Sequence, residues 1–135
     1  MGVARASARG DVRIFKTKVF ARFARGANLR DAAMRRAVED VERGIVDADL
    51  GGGVIKQRIA RAGGGKSGGF RAIVLFRSGK HAFFVHGFAK NERDNIDEDE
   101  LRAFKMLAAQ MLAYDDAAIV AALSRGALTE VTNDD

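Results

Sequence analysis

GGGVIKQRIARAGGGKSGGFRAIVLFRSGKHAFFVHGFAKNER, residues 51–93, decides how this chain is read. Within it, apolar runs alternate with glycine-rich breaks, the pattern of short strands joined by turns. Lys56, Arg58 and Arg71 sit inside those apolar runs. A strand buried in a core has no use for cations, because a charge taken out of water without a partner is costly. Their placement predicts a sheet that presents positive charge to something anionic. Lys56 and Arg58 are two apart, so a strand VIKQRIAR projects both from one face, shared with Val54 and Ala60. FRAIVLFRS is apolar at both parities, which marks a central strand. SGK reads as a tight hairpin turn. HAFFVHGFAK reads as the third strand, with Phe83 and Val85 on one face and Phe84 and Phe88 on the other. In such a meander, the start of the second strand and the end of the third share one edge of the sheet. That brings Arg71 toward Lys90, Asn91 and Arg93.

Outward from this block, VRIFK (12–16) predicts a first strand and KTKVFARFARG (16–26) a helix with Val19, Phe20 and Phe23 on one face and Gly26 as its stop. Asn28 suits an N-cap for the next helix, in which Leu29, Ala33, Ala37, Val41 and Ile45 form an apolar stripe. IVDADLGGG (45–53) reads as a loop. Asp97 opens the last long helix, with Glu98, Asp99 and Glu100 in its first turn, where negative charge is favourable. Leu101, Phe104, Leu107, Ala108, Met111 and Leu112 line one side of it. DDAAIVAAL (115–123) predicts a short further helix capped by Asp115 or Asp116, LTEV (128–131) an extended stretch and TNDD (132–135) a frayed tail. The expected fold class is α+β: a small twisted antiparallel sheet, made of a three-stranded meander plus an N-terminal strand, flanked by helices on one face. The expected organisation is a flexible N-terminal extension at 1–11, one domain at 12–124 and a C-terminal tail at 125–135.

At 135 residues the chain can bury roughly two-thirds of its unfolded surface, so a core needs no disulfide or metal. With no cysteine, thiol catalysis and zinc–thiolate sites are excluded, and a cytoplasmic location fits. No run approaches the length of a membrane span, and no apolar segment follows the basic N-terminus, so no membrane partner is expected. Residues 1–93 carry a net charge of +12, and residues 94–135 carry −7. A basic body of this kind points to an anionic partner, nucleic acid first among them. The acidic run DNIDEDE (94–100) reads as a charged helix start. A second reading has it neutralise the cationic face, within one chain or across a homodimer.

Three chemistries compete for the 51–93 block. Ala60, Gly65, Lys66 and Ser67 satisfy a relaxed nucleotide-loop pattern, but that mechanism needs a helix whose first amides cradle the phosphates, and here Gly68, Gly69 and a β-type run follow. His81 and His86 are five apart in one strand, which sends them to opposite faces and rules out a shared metal site or in-line pair. Each is more often structural, with His86 the better functional candidate. The third reading is a cationic RNA site. Lys56, Arg58, Arg71 and Lys90 would grip a phosphodiester and stabilise the extra charge of a pentacovalent phosphorane, one of them acting as base toward a ribose 2′-OH. Arg61, Lys66, Arg93 and His86 would extend the RNA-binding surface. The plain alternative is a row of solvated strand-edge cations.

FKTKVFARFAR, ERGIVDADLGGGVIKQRIAR, GKSGGFRAIVLFR and FFVHGFAKNERDNIDEDEL together resemble the RelE/ParE superfamily of bacterial toxins, closest to the RelE-like or HigB-like branch of type II toxin–antitoxin systems. The resemblance covers about residues 12–113. It implies a small twisted antiparallel sheet flanked by helices and a toxin neutralised by a cognate antitoxin. In ribosome-dependent members it implies cleavage of mRNA in the 30S A site by 2′-OH attack, without metal or other cofactor. On that resemblance Lys56 and Arg58 correspond to the strand cations, Arg71 to the arginine of the S-G-aromatic-R motif, and Lys90 or Arg93 to the basic residue after the last strand. Many members place a base-stacking tyrosine there. This chain has only Tyr114, far along the last helix, which leaves His86 as a substitute proton donor. The superfamily also contains gyrase inhibitors without the ribonuclease cluster, so resemblance alone leaves a gyrase-directed toxin and a non-catalytic RNA- or partner-binding module as alternatives.

Overall fold

The expected meander forms. In the computed structural model, which describes residues 12–60, 69–93 and 95–132, Val54–Ile59 (β3), Phe70–Arg77 (β4) and His81–Ala89 (β5) pair antiparallel in sequence. β4 is the central strand and is buried from Arg71 to Leu75, which is why both of its parities are apolar. Arg13–Thr17 (β1) packs parallel to β5, so the sheet is mixed where a fully antiparallel one was expected. Two further strands complete it. Ala48–Gly51 (β2) pairs with β3, and Leu128–Glu130 (β6) pairs with β1, giving the order β2-β3-β4-β5-β1-β6. β2 lies in the stretch read as a loop. Its glycine run ends the strand and turns the chain: Gly51, Gly52 and Gly53 all have positive φ, and Lys105 and Leu112 crowd the turn closely enough that side chains there would meet them. β6 falls within 125–135, and its pairing with β1 draws Leu128–Glu130 into the sheet.

Helices cover both faces, where one was expected. Lys18–Ala27 (α1) and Asp31–Glu42 (α2) lie on one side, their Phe20, Ala24, Met34, Ala37 and Val38 packed with Ile14, Ile59, Ala72, Val74 and Phe84. Glu98–Met111 (α3) and Asp116–Ser124 (α4) lie on the other, their Ala108, Met111, Ile119 and Ala122 packed with Phe15, Val54, Ile73, Leu75 and Phe83. Thr17 caps α1 by accepting a hydrogen bond from the Phe20 amide. Asn28 serves the preceding helix: it is the α1 C-cap, at φ 58°, and α2 starts at Arg30 without a side-chain cap. Gly26 lies inside α1 and does not end it. The α2 stripe runs through Met34, Ala37, Val38 and Val41, the i, i+3, i+4, i+7 spacing of a buried helical face, and the every-fourth pattern expected through Ile45 drifts off it. Ile45 is accordingly 52% exposed and Val19, expected inward, 63% exposed. Asp97 and Asp115 cap α3 and α4 as expected, Asp97 in a reciprocal box with Glu100.

One irregularity matters for the site. Ile73 faces His86 across β4–β5, but the next pair is Val74 with Phe84, so Val85 is an extra residue on β5. A bulge of this kind shifts strand parity by one.

Candidate active site

Register places the strand cations on one face of the sheet, the face that α3 and α4 cover farther along. Arg58 stands directly opposite Arg71, which stands opposite Phe88; one same-face step away, Lys56 stands opposite Ile73, and Ile73 opposite His86. Like charges at directly opposite positions of a ladder are unfavourable unless something offsets them. Arg58 is exposed, Lys56 half-buried, and Arg71 only 8% exposed. Lys90 follows β5, and its amide donates to the Gly69 carbonyl beside the start of β4, so the edge predicted to gather Arg71 and Lys90 does so. Lys90 is exposed.

A carboxylate that sequence reasoning missed holds the centre of this arrangement. Asp47 Oδ2 accepts a hydrogen bond from Arg71 Nε at 3.1 Å and lies 3.7 Å from Lys56 Nζ. Buried Gln57, on the opposite face of β3, fixes the loop that carries it. Its Oε1 accepts from the Asp47 amide at 3.0 Å, and its Nε2 donates to the Ile45 and Ala37 carbonyls at 2.9 and 3.3 Å. Among the described residues, Arg71 Nη1 is buried without a hydrogen-bond partner. An orphaned guanidinium nitrogen costs stability and is common where a site is built for something else. Asp47 offsets one of the three positive charges of Lys56, Arg58 and Arg71, and the face stays cationic.

Arg93 is committed within the chain. It donates to both carboxylate oxygens of Glu100, at 2.6 and 3.3 Å, and its guanidinium lies 5.5 Å from the Phe88 ring centroid. The bond to Glu100 raises the Arg93 pKa above its ordinary value and lowers that of Glu100, which the Asp97 amide lowers further. The acidic run starts α3, as expected, and its Glu100 pairs with Arg93 rather than with the strand cations Lys56, Arg58 or Arg71.

His81 and His86 do not point to opposite faces. The Val85 bulge restores their parity: His81 packs on Phe15 and Phe83, His86 on Phe104 of α3, both among or against side chains of the α3/α4 core. The bulge also puts Phe88 on the side of Phe83, opposite to the predicted side. Burial holds the His86 pKa below its ordinary value; Glu100 opposes that shift and Arg93 adds to it. Among the described residues, His86 Nε2 is buried without a hydrogen-bond partner. Tyr114 is used in packing, edge-on to Phe83.

Arg61 and Lys66 lie outside the described residues, as do most of the Gly-Lys-Ser segment, the 1–11 extension, and 133–135 of the tail. The flanks of the Gly-Lys-Ser segment still decide its class. Ile59 pairs with Phe70, and the chain enters β4 directly, so the segment joins two antiparallel strands and leads into no helix. Among the described residues, no single helix is long and apolar enough to cross a membrane.

A family model described as the RelE toxin of the RelE / RelB toxin–antitoxin system matches residues 12–131. No curated protein matches the chain.

Proposed function

The chain belongs to the RelE toxin family, and from that premise we propose that it is a ribosome-dependent endoribonuclease that cuts translated mRNA and so inhibits translation. Family membership implies a cognate antitoxin as its partner. The observation that carries the ribonuclease reading is the Arg58–Arg71 pair with Lys56 beside it on the same face. A sheet that only needed to fold would not set two arginines opposite each other. In the reaction, a ribose 2′-OH attacks the adjacent phosphorus. The base takes its proton, the P–O5′ bond breaks, and the departing 5′ oxygen receives a proton, leaving a 2′,3′-cyclic phosphate. Arg58 and Arg71 carry the charge that builds on the phosphorane oxygens. Lys56 takes the proton in its neutral form, after giving up its own, and Lys90 or His86 returns one to the leaving oxygen. The chain's own groups supply these roles without a metal. Arg61 and Lys66 extend the grip on the strand, and Arg93 joins when it leaves Glu100.

Expression in a cytoplasm lacking the antitoxin tests the reading. The expected result is growth arrest with cut mRNA and an intact chromosome. DNA damage with intact mRNA would identify a gyrase-directed toxin instead, and RNA binding without any growth phenotype a non-catalytic module.

A further inference from the structure

We propose that Asp47 is a built-in stand-in for the substrate phosphate: it occupies the anion position between Lys56 and Arg71, and an RNA phosphodiester must displace it to bind there. The proposal rests on the ribonuclease reading of this face and assigns a positioning role to a residue outside the strand-cation motif. Three observations carry it. Asp47 Oδ2 engages both cations at once, at 3.1 Å from Arg71 Nε and 3.7 Å from Lys56 Nζ, as a phosphate oxygen would. Its position is set from the far side of the sheet by Gln57, through the Asp47 amide, so the carboxylate is delivered to the cations by its backbone. Its segment is the stretch 45–47 between α2 and β2, all three residues of which are exposed, so the side chain can swing aside without unpacking the core.

The physical logic is competition. In the free protein, Asp47 relieves the repulsion among Lys56, Arg58 and Arg71, and its removal would leave those charges to solvent ions. RNA binding must break two partly buried ion pairs before making its own. The free state is thereby more stable and RNA binding weaker than the bare cations would give. A purely structural Asp47 would change stability alone. A competitor changes stability and affinity in opposite directions.

The test uses the full chain and two probes, a single-stranded RNA oligonucleotide methylated at its 2′ oxygens so that it cannot be cut, and inorganic phosphate. Asp47→Asn keeps the shape of the side chain and removes its charge. Asp49→Asn, two residues away on a side chain that accepts from the Gly51 amide, makes the same change in net charge and serves as control. Asp47→Asn should melt lower than wild type in low-phosphate buffer and regain more of the loss on adding phosphate. It should bind the oligonucleotide about three- to tenfold tighter. Its salt dependence should be steeper by about one phosphate contact, roughly 0.7 in the log–log slope for a single strand. Equal behaviour of Asp47→Asn and Asp49→Asn toward both probes overturns the proposal, as does unchanged or weaker oligonucleotide binding by an Asp47→Asn protein that is folded. If phosphate selectively stabilises Asp47→Asn and the oligonucleotide binds it more tightly, but wild type leaves mRNA on the ribosome intact, the counter-ion role stands and the ribonuclease reading fails. The two are thus separable.

Discussion

Replacing Gln57 with Leu should loosen the loop that carries Asp47 without touching any cation of the site. The swap roughly conserves volume, so it opens little cavity. It removes three hydrogen bonds, from Nε2 to the Ile45 and Ala37 carbonyls and from the Asp47 amide to Oε1. Each contributes about 1 kcal/mol net. Ala37 keeps its intrahelical bond, and the exposed 45–47 loop can turn partly to water, so the sum falls short of its maximum. The apolar replacement also gains some transfer free energy. About 2 kcal/mol of destabilisation is the expected net, or roughly 8 °C in Tm for a domain of this size. Thermal and urea unfolding followed by circular dichroism measure it. If Gln57 acts by placing Asp47, then Asp47→Asn should cost less in the Gln57→Leu background than in wild type, with a coupling of about 0.5–1 kcal/mol. A Gln57→Leu protein melting within about 2 °C of wild type would refute the energetic argument. Strict additivity of the two substitutions would refute the positional one.

Gly87 tests the packing of α1 on the sheet. A Cβ there would lie 2.3–2.4 Å from two ring carbons of Phe23, a ring already flanked by Phe20 and Phe70, so Gly87→Ala should destabilise by about 1–3 kcal/mol in urea unfolding. Phe23→Leu in the same chain should recover most of that, and no recovery would show that the strain lies elsewhere. The histidines predict a pH dependence. Burial lowers the pKa of both His81 and His86 from an ordinary 6.5, so the unfolded chain takes up protons first as pH falls. Stability should be full above about pH 6.5 and decline below it, and it should do so less steeply in a His81→Gln, His86→Gln variant. A melting temperature flat from pH 7.5 to 5.5 in the wild-type protein would contradict it. Glu100, lowered by Arg93, adds a further loss only as pH falls through and below its ordinary value of 4.5.

What the sequence made legible follows from what is local. The two-residue spacing of Lys56 and Arg58 shows that they share a face, and the convergence of Arg71 and Lys90 follows from meander topology. Parity failed for His81 and His86 because a single bulge at Val85 reverses it, and no residue type announces that bulge. β2 was hidden because three glycines outweigh a four-residue edge strand in any local reading, although the same glycines make the turn that lets β2 pair. Asn28 fits either end of a helix by residue type, and only φ distinguishes an N-cap from a left-handed C-cap. Asp47 and Glu100 were invisible as partners because their cations lie on other elements: Asp47 meets β3 and β4, and Glu100 meets the loop after β5. The one available signal was the Asp97–Glu100 capping spacing, which fixes where the Glu100 carboxylate sits and hence that Arg93 can reach it.

We propose that the Lys56–Arg58–Arg71 face cuts mRNA on the ribosome. Purified protein added to ribosomes stalled on a defined mRNA, with cleavage mapped by primer extension, tests it most directly. Wild type should cut within the A-site codon, and Arg71→Ala and Lys56→Ala proteins that retain the wild-type circular dichroism spectrum should cut at least about 100-fold more slowly. Intact mRNA with wild type, or full cleavage by folded Arg71→Ala, would contradict it.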